Sequence, residues 1–233
     1  MSSALGGIAA SIDLRLFWTG VRDQGSRPSC LACAASDGHS HAHSLPHRLS
    51  AEYLFYFGAR RMPGGDHSGG LTFDAVDAAL RNEGQPDEVA WPYQAKEPDP
   101  WTPPATQKVW IAGLVPVPLQ AAGILSALRS GNPVVLGVRL VPGFNRVRTP
   151  PYIVDPAGRA AGGHALLVVG SGRRSTSGDD DLLMIRNSWG FAWGEGGHAW
   201  LPMEYLSDKL IGSYVLDAAG VRSKEGEQHV GSK

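Results

Sequence analysis

Four short apolar runs crowd the second half of the chain: Val134–Leu140, His164–Val169, Asp181–Arg186 and Gly197–Leu201, separated by Gly and Asp turns. Runs of that length, rich in Val, Ile and Leu and bounded by turn residues, read as strands. The first half has a different texture. Helix-start signals precede three segments: Ser29 before Cys30 to about Leu45 (stopped by Pro46), Ser50 before Ala51–Arg61, and Thr72 before Phe73–Asn82, which Gly84 closes. Trp91–Pro118 is proline-rich without a period and reads as extended or loop, and a short helix over Leu119–Ser130 follows it. Helices in one half and strands in the other predict an α+β fold with a cleft between unlike lobes. The expected organisation is one domain over residues 1–233: a helical lobe over about 13–115, a sheet lobe over about 116–216 and a flexible tail over 217–233.

Composition removes several function classes. Lys+Arg is 21 against Asp+Glu 22, a net charge of −1, which gives no basis for a nucleic-acid partner or an anionic membrane surface. No apolar run reaches the roughly 18 residues of a membrane span. Met1–Ala10 lacks a basic start and a long apolar stretch, so it makes a poor signal peptide. The expectation is a chain that is cytoplasmic as synthesised, with signal-independent export or excision from a larger protein left open. The two cysteines, Cys30 and Cys33, cannot staple a chain of this size, so stability must come from the apolar core.

Chemistry concentrates around one thiol. Cys30 stands at a helix start, where unpaired N–H groups and the helix dipole favour a thiolate over the ordinary pKa of about 8.5. Cys33, one turn further among alanines, reads as an inert buried thiol. A thiolate nucleophile needs an imidazole partner, a group that orients it and a donor for the oxyanion. His164 opens a strand behind Gly162-Gly163, Asn187 ends another, and Gln24 offers a side-chain amide just upstream of Cys30. A redox or zinc reading of Cys30-Leu-Ala-Cys33 lacks a second C-x-x-C and a βαβ opening. His39, His43 and His47 share a helix face but have no carboxylate or thiol beside them in sequence, and read as a solvated or partly packed face. No metal and no organic cofactor is expected.

Three blocks in order, Gln24-Gly-Ser-Arg-Pro-Ser-Cys30, Gly163-His164-Ala165 and Arg186-Asn-Ser-Trp-Gly-Phe-Ala-Trp-Gly-Glu195, resemble the papain-like cysteine peptidases over about Asp13 to Tyr214. The resemblance implies a two-lobe fold, with a helical N-terminal lobe and an antiparallel sheet or barrel C-terminal lobe. It implies Cys30 as nucleophile, His164 as its partner, Asn187 as the orienting residue, and Gln24 with the Cys30 N–H as the oxyanion hole. Ser68-Gly69-Gly70 is similar to the family's substrate-pairing glycines. Leu71, Thr72, Gly162, Gly163 and Ala165 would border the substrate, Trp189 would cover the Asn187–His164 bond, and the small Gly162 and Ala165 hint at a roomy pocket. Two departures stand out: Leu31 replaces a usual Trp, and Arg27 replaces a disulfide cysteine whose partner would fall near His67. The implied activity is peptide-bond hydrolysis through an acyl-enzyme, by a monomer. In a further departure there is no room for the inhibitory pro-segment that many relatives carry, so the expectation is either an enzyme made active and controlled otherwise or an excised catalytic region. The expected partners are a peptide or protein substrate and a proteinaceous inhibitor. An amidase or transpeptidase using the same thiol, and an inactive peptide-binding module, stay open as alternatives.

Overall fold

The computed structural model describes residues 4–175 and 178–223. Two strands, β1 (Ala4–Leu5) and β2 (Ile8–Asp13), precede three helices, α1 (Cys30–Ala42), α2 (Ala51–Ala59) and α3 (Phe73–Asn82). The chain continues through β3 (Lys108–Pro116), α4 (Ala121–Arg129), β4 (Val134–Arg139), β5 (Gly163–Gly172), β6 (Leu182–Arg186) and β7 (His198–Pro202), and closes with a one-turn helix α5 (Leu206–Lys209) and β8 (Leu210–Ser223).

Side-chain caps start two of the helices. Ser50 Oγ accepts from the Tyr53 N–H at 3.0 Å, and Thr72 Oγ1 from the Ala75 N–H at 3.2 Å; such caps contribute about 1 kcal/mol each. Ser29 holds the cap position of α1 without a capping bond, because its hydroxyl is engaged by the Tyr93 hydroxyl at 2.6 Å. Helix α1 stops at Ala42, short of the expected Leu45, where the backbone turns through Ser44 at φ +53°. Gly84 closes α3 at φ +70°, a conformation that L side chains rarely adopt.

The strands form one antiparallel sheet, in the order β1-β2-β5-β4-β8-β3 with β6 on β5 and β7 on β6, and it does not close into a barrel. Strand β5 is its hub, paired with β2, β4 and β6. Alternation sorts its side chains between two apolar cores. Ala165, Leu167 and Val169 face the helices α1–α3, while Leu166 and Val168 face the opposite core with Ile124 and Leu128 of α4. A strand buried on both faces must read as continuously apolar, and β5 does. Helix α1 lies directly over this sheet. Gly38 permits the approach, since a Cβ there would sit 2.9 Å from Leu216 Cδ2 of β8.

Three boundaries depart from the sequence reading. The start of the chain belongs to the sheet through β2, so strands are not confined to the second half. The stretch read as loop contains β3, paired with β8 from Lys108↔Ser223 to Pro116↔Tyr214. That ladder takes residues 217–223 out of the expected flexible tail, and residues 224–233 lie outside those described. The histidine face is more buried than expected: His39 is fully buried with Nδ1 2.7 Å from Gln85 Oε1. His43 instead reaches the Ile111 carbonyl, and His47 reaches Asp87.

Candidate active site

Cys30 is the first residue of α1 and His164 the second of β5, so the thiol stands at a helix mouth and the imidazole on the central strand. The two line one cavity of about 250 Å³. Ala165, the residue after His164, lines the same cavity beside the thiol.

Asn187 follows the last residue of β6. Its Oδ1 accepts from the Ser188 N–H at 2.8 Å, which fixes the orientation of the amide, and lies 2.7 Å from His164 Nε2. An oxygen that only accepts requires Nε2 to carry its proton. The lone pair of His164 therefore resides on Nδ1. Trp189 packs its ring on the imidazole with centroids 4.9 Å apart, shielding the Asn187–His164 bond from water.

Gln24 is tied to the same block. Its Oε1 accepts from Ser188 Oγ at 2.6 Å, its backbone N–H donates to the Ser188 carbonyl at 2.8 Å, and its Nε2 donates one proton to the Arg27 carbonyl at 2.8 Å. A further bridge between Asp23 and Trp189 zips the loop before α1 to the loop after β6.

Electrostatics around the thiol differ from the helix-start expectation. Burial pushes the Cys30 thiol up; the N–H groups of Ala165, Leu31 and Cys30 itself pull it down, but by less. Burial also pushes His164 down to about 4, against the bond to Asn187. Both causes favour the uncharged thiol and the uncharged imidazole. Cys33 is buried and pushed up to about 12 by desolvation, as suits an inert thiol.

The cavity brings together Cys30, His164, Gly69, Gly70, Leu71, Thr72, Gly163 and Ala165. It does not include Gly162, whose place on the wall is taken by Gly137 of β4, nor Trp189, which covers His164 instead. The rest of the wall is Leu31, noted from sequence as a departure from the family pattern, with Phe73 and Ile211, which were not singled out for the pocket. Phe73 fills the floor: its ring would lie 2.9 Å from a Cβ on Gly137 and 2.8 Å from one on Gly212. Among the described residues, no Lys, Arg, Asp or Glu lines the cavity.

A second missed feature lies beneath the site. Asp37 of α1 accepts from Arg22 Nε and Arg186 Nε, both at 2.7 Å, and all three are buried. Against the cost of burial, Arg186 and Arg22 hold the carboxyl down at about 2. A lone acid among small residues on an otherwise buried helix was the available signal, since a buried charge requires a partner.

The chain belongs to the papain family of cysteine proteases, whose family model matches residues 8–212. It is similar to cathepsin Q of Rattus norvegicus, at 29% identity over 130 residues covering 55% of this chain and 38% of that protein. It is also similar to cathepsin R of Mus musculus, at 28% identity over 149 residues covering 63% of this chain and 45% of that protein. The matched region therefore spans less than half the length of either relative. Among solved structures, xylellain, a cysteine protease from Xylella fastidiosa, superposes with a TM-score of 0.73 at 20% identity, covering 91% of this chain and 87% of that one; it shares the fold.

Proposed function

We propose that this protein is a peptidase that cleaves peptide bonds through Cys30, His164 and Asn187. The observation that carries this reading is the shared cavity wall of Cys30 and His164, with Asn187 Oδ1 2.7 Å from His164 Nε2. With Nε2 protonated toward Asn187, Nδ1 accepts the thiol proton as the sulfur attacks the scissile carbonyl. The second N–H of Gln24 Nε2 and the backbone N–H of Cys30 stabilise the oxyanion. His164 then returns the proton to the departing amine, leaving a thioester on Cys30. Water, deprotonated by Nδ1, attacks the thioester; the carboxylic acid leaves and the sulfur regains its proton.

The substrate is an extended chain laid along Gly69-Gly70, placing an apolar side chain in the cavity beside Leu71, Phe73 and Ile211. A fluorogenic peptide library, assayed with the wild type and Cys30→Ala, tests the reading. Turnover lost in the variant, with Cys30 alkylated by a peptidyl epoxide in the wild type, supports it; turnover retained overturns it. Product mass spectra that show amine adducts in place of free acids would assign the same thiol to transfer.

A further inference from the structure

We infer that Glu97 is a positioning residue of the cleft, its carboxylate tying the loop that holds Gln24 to the loop that carries Gly69-Gly70. The inference rests on the peptidase reading for its kinetic consequence. Glu97 Oε2 lies 2.9 Å from His67 Nε2 and 3.7 Å from Arg27 Nη2, so one exposed carboxylate spans both loops.

On one side, Arg27 is buried and its guanidinium sits over the rings of Phe55, Trp101 and Tyr93 at 4.9, 5.3 and 5.4 Å, with Glu52 at 2.6 Å. The Arg27 carbonyl is the one that holds Gln24 Nε2. On the other side, the His67 ring packs on Trp101 and Phe55, and its carbonyl accepts the Gly70 N–H at 2.9 Å. Gly70, at φ +92°, lies so close to the Cys30 loop that a Cβ would sit 3.3 Å from the Pro28 carbonyl oxygen. From Glu97, each arm therefore ends in one backbone carbonyl that orients one working group.

The tie is charge-dependent. His67 presents Nδ1 to the Gly65 carbonyl at 3.0 Å and Nε2 to Glu97, two acceptors that only the doubly protonated ring satisfies. The charged groups facing that ring are Glu97, Arg27 and Asp66. Burial and Arg27 disfavour its cation; the Gly65 carbonyl and Glu97 outweigh them and raise its pKa. The tie is therefore complete below the titration of His67 and weaker above it.

Glu97→Gln tests this, and the half-exposed position tolerates the change. At pH 5 the variant should show a KM for an extended peptide raised about two- to fivefold, the range of a partly exposed ion pair, with kcat changed less. Its Gly70 N–H should exchange with deuterium faster than in the wild type. Both differences should be smaller at pH 9, where His67 is neutral in either protein and the Arg27 contact of Glu97 alone remains. Equal KM and equal Gly70 exchange at pH 5 would overturn the proposal, as would differences of the same size at both pH values, the mark of a general structural defect. If the wild type turns over no peptide, the peptidase reading fails, and the Gly70 exchange comparison alone decides the tie.

Discussion

The carboxylate of Asp37 binds Arg186 Nε at 2.7 Å, and Arg186 is the residue immediately before Asn187. The helix that begins with Cys30 is thereby locked, two turns in, to the strand that ends at the imidazole's partner. Asp37→Asn would leave Arg186 buried without a counter-charge, while Arg22 keeps Glu88 at 3.0 Å; an uncompensated buried charge costs about 3–5 kcal/mol. Urea unfolding at pH 7 should read that loss, and a loss under about 1 kcal/mol would show the triad to be dispensable. The same carboxyl sets an acid limit. Its folded pKa of about 2 is below its unfolded value, so its contribution is complete above about pH 4 and drains away as the pH falls through about 2. Melting temperatures between pH 2 and pH 5 should drop more steeply for the wild type than for Asp37→Asn.

Gln24→Ala removes one oxyanion donor and should reduce kcat by about 10²–10³, with a smaller change in KM. Because Ser188 Oγ holds the Gln24 amide at 2.6 Å, Ser188→Ala should reproduce part of the loss without touching the thiol. Steady-state kinetics of the two variants check both statements, and a Gln24→Ala enzyme with unchanged kcat would remove Gln24 from the oxyanion hole.

Proton transfer to Nδ1 requires a neutral His164, whose pKa burial lowers to about 4. The acid limb of kcat/KM against pH should therefore fall near pH 4, with activity lost below it as the imidazole charges. An acid limb near the ordinary imidazole value of about 6.5 would mean that His164 is not desolvated as described.

Phe73 packs against Tyr214, ring centroids 4.4 Å apart and planes tilted by 31°, and fills the space above Gly137 and Gly212. Phe73→Ala should deepen the apolar pocket and shift preference from smaller toward larger apolar side chains by about tenfold in kcat/KM, the scale of a few methylenes in a pocket. A library profile that does not move would place the specificity pocket elsewhere.

The residues that meet at the site were legible because polar groups at the ends of apolar elements have few other uses. His164 opens β5, Asn187 follows β6, and Cys30 starts α1. The strand runs β4 to β7 were legible for the same reason: burial on both faces writes them as apolar blocks. Strands β3 and β8 were not. One is flanked by prolines and the other carries Gly212 and Gly220, and only their pairing across the chain makes them a ladder. The raised pKa of Cys30 was also hidden, because a helix start is visible in sequence whereas the desolvation that outweighs it depends on the tertiary packing that buries the thiol. The partners of Asp37 come from segments far apart in the chain, and spacing alone did not join them.

Strand β5 carries His164 while its next residues pack into both apolar cores, and α1 lies across it. Nucleophile and base are thus bolted to the same slab, with no soft joint between them. Heating should therefore abolish catalysis and tertiary structure in a single event: thermal inactivation and the calorimetric melt should coincide, with no window in which an intact shell has lost its chemistry.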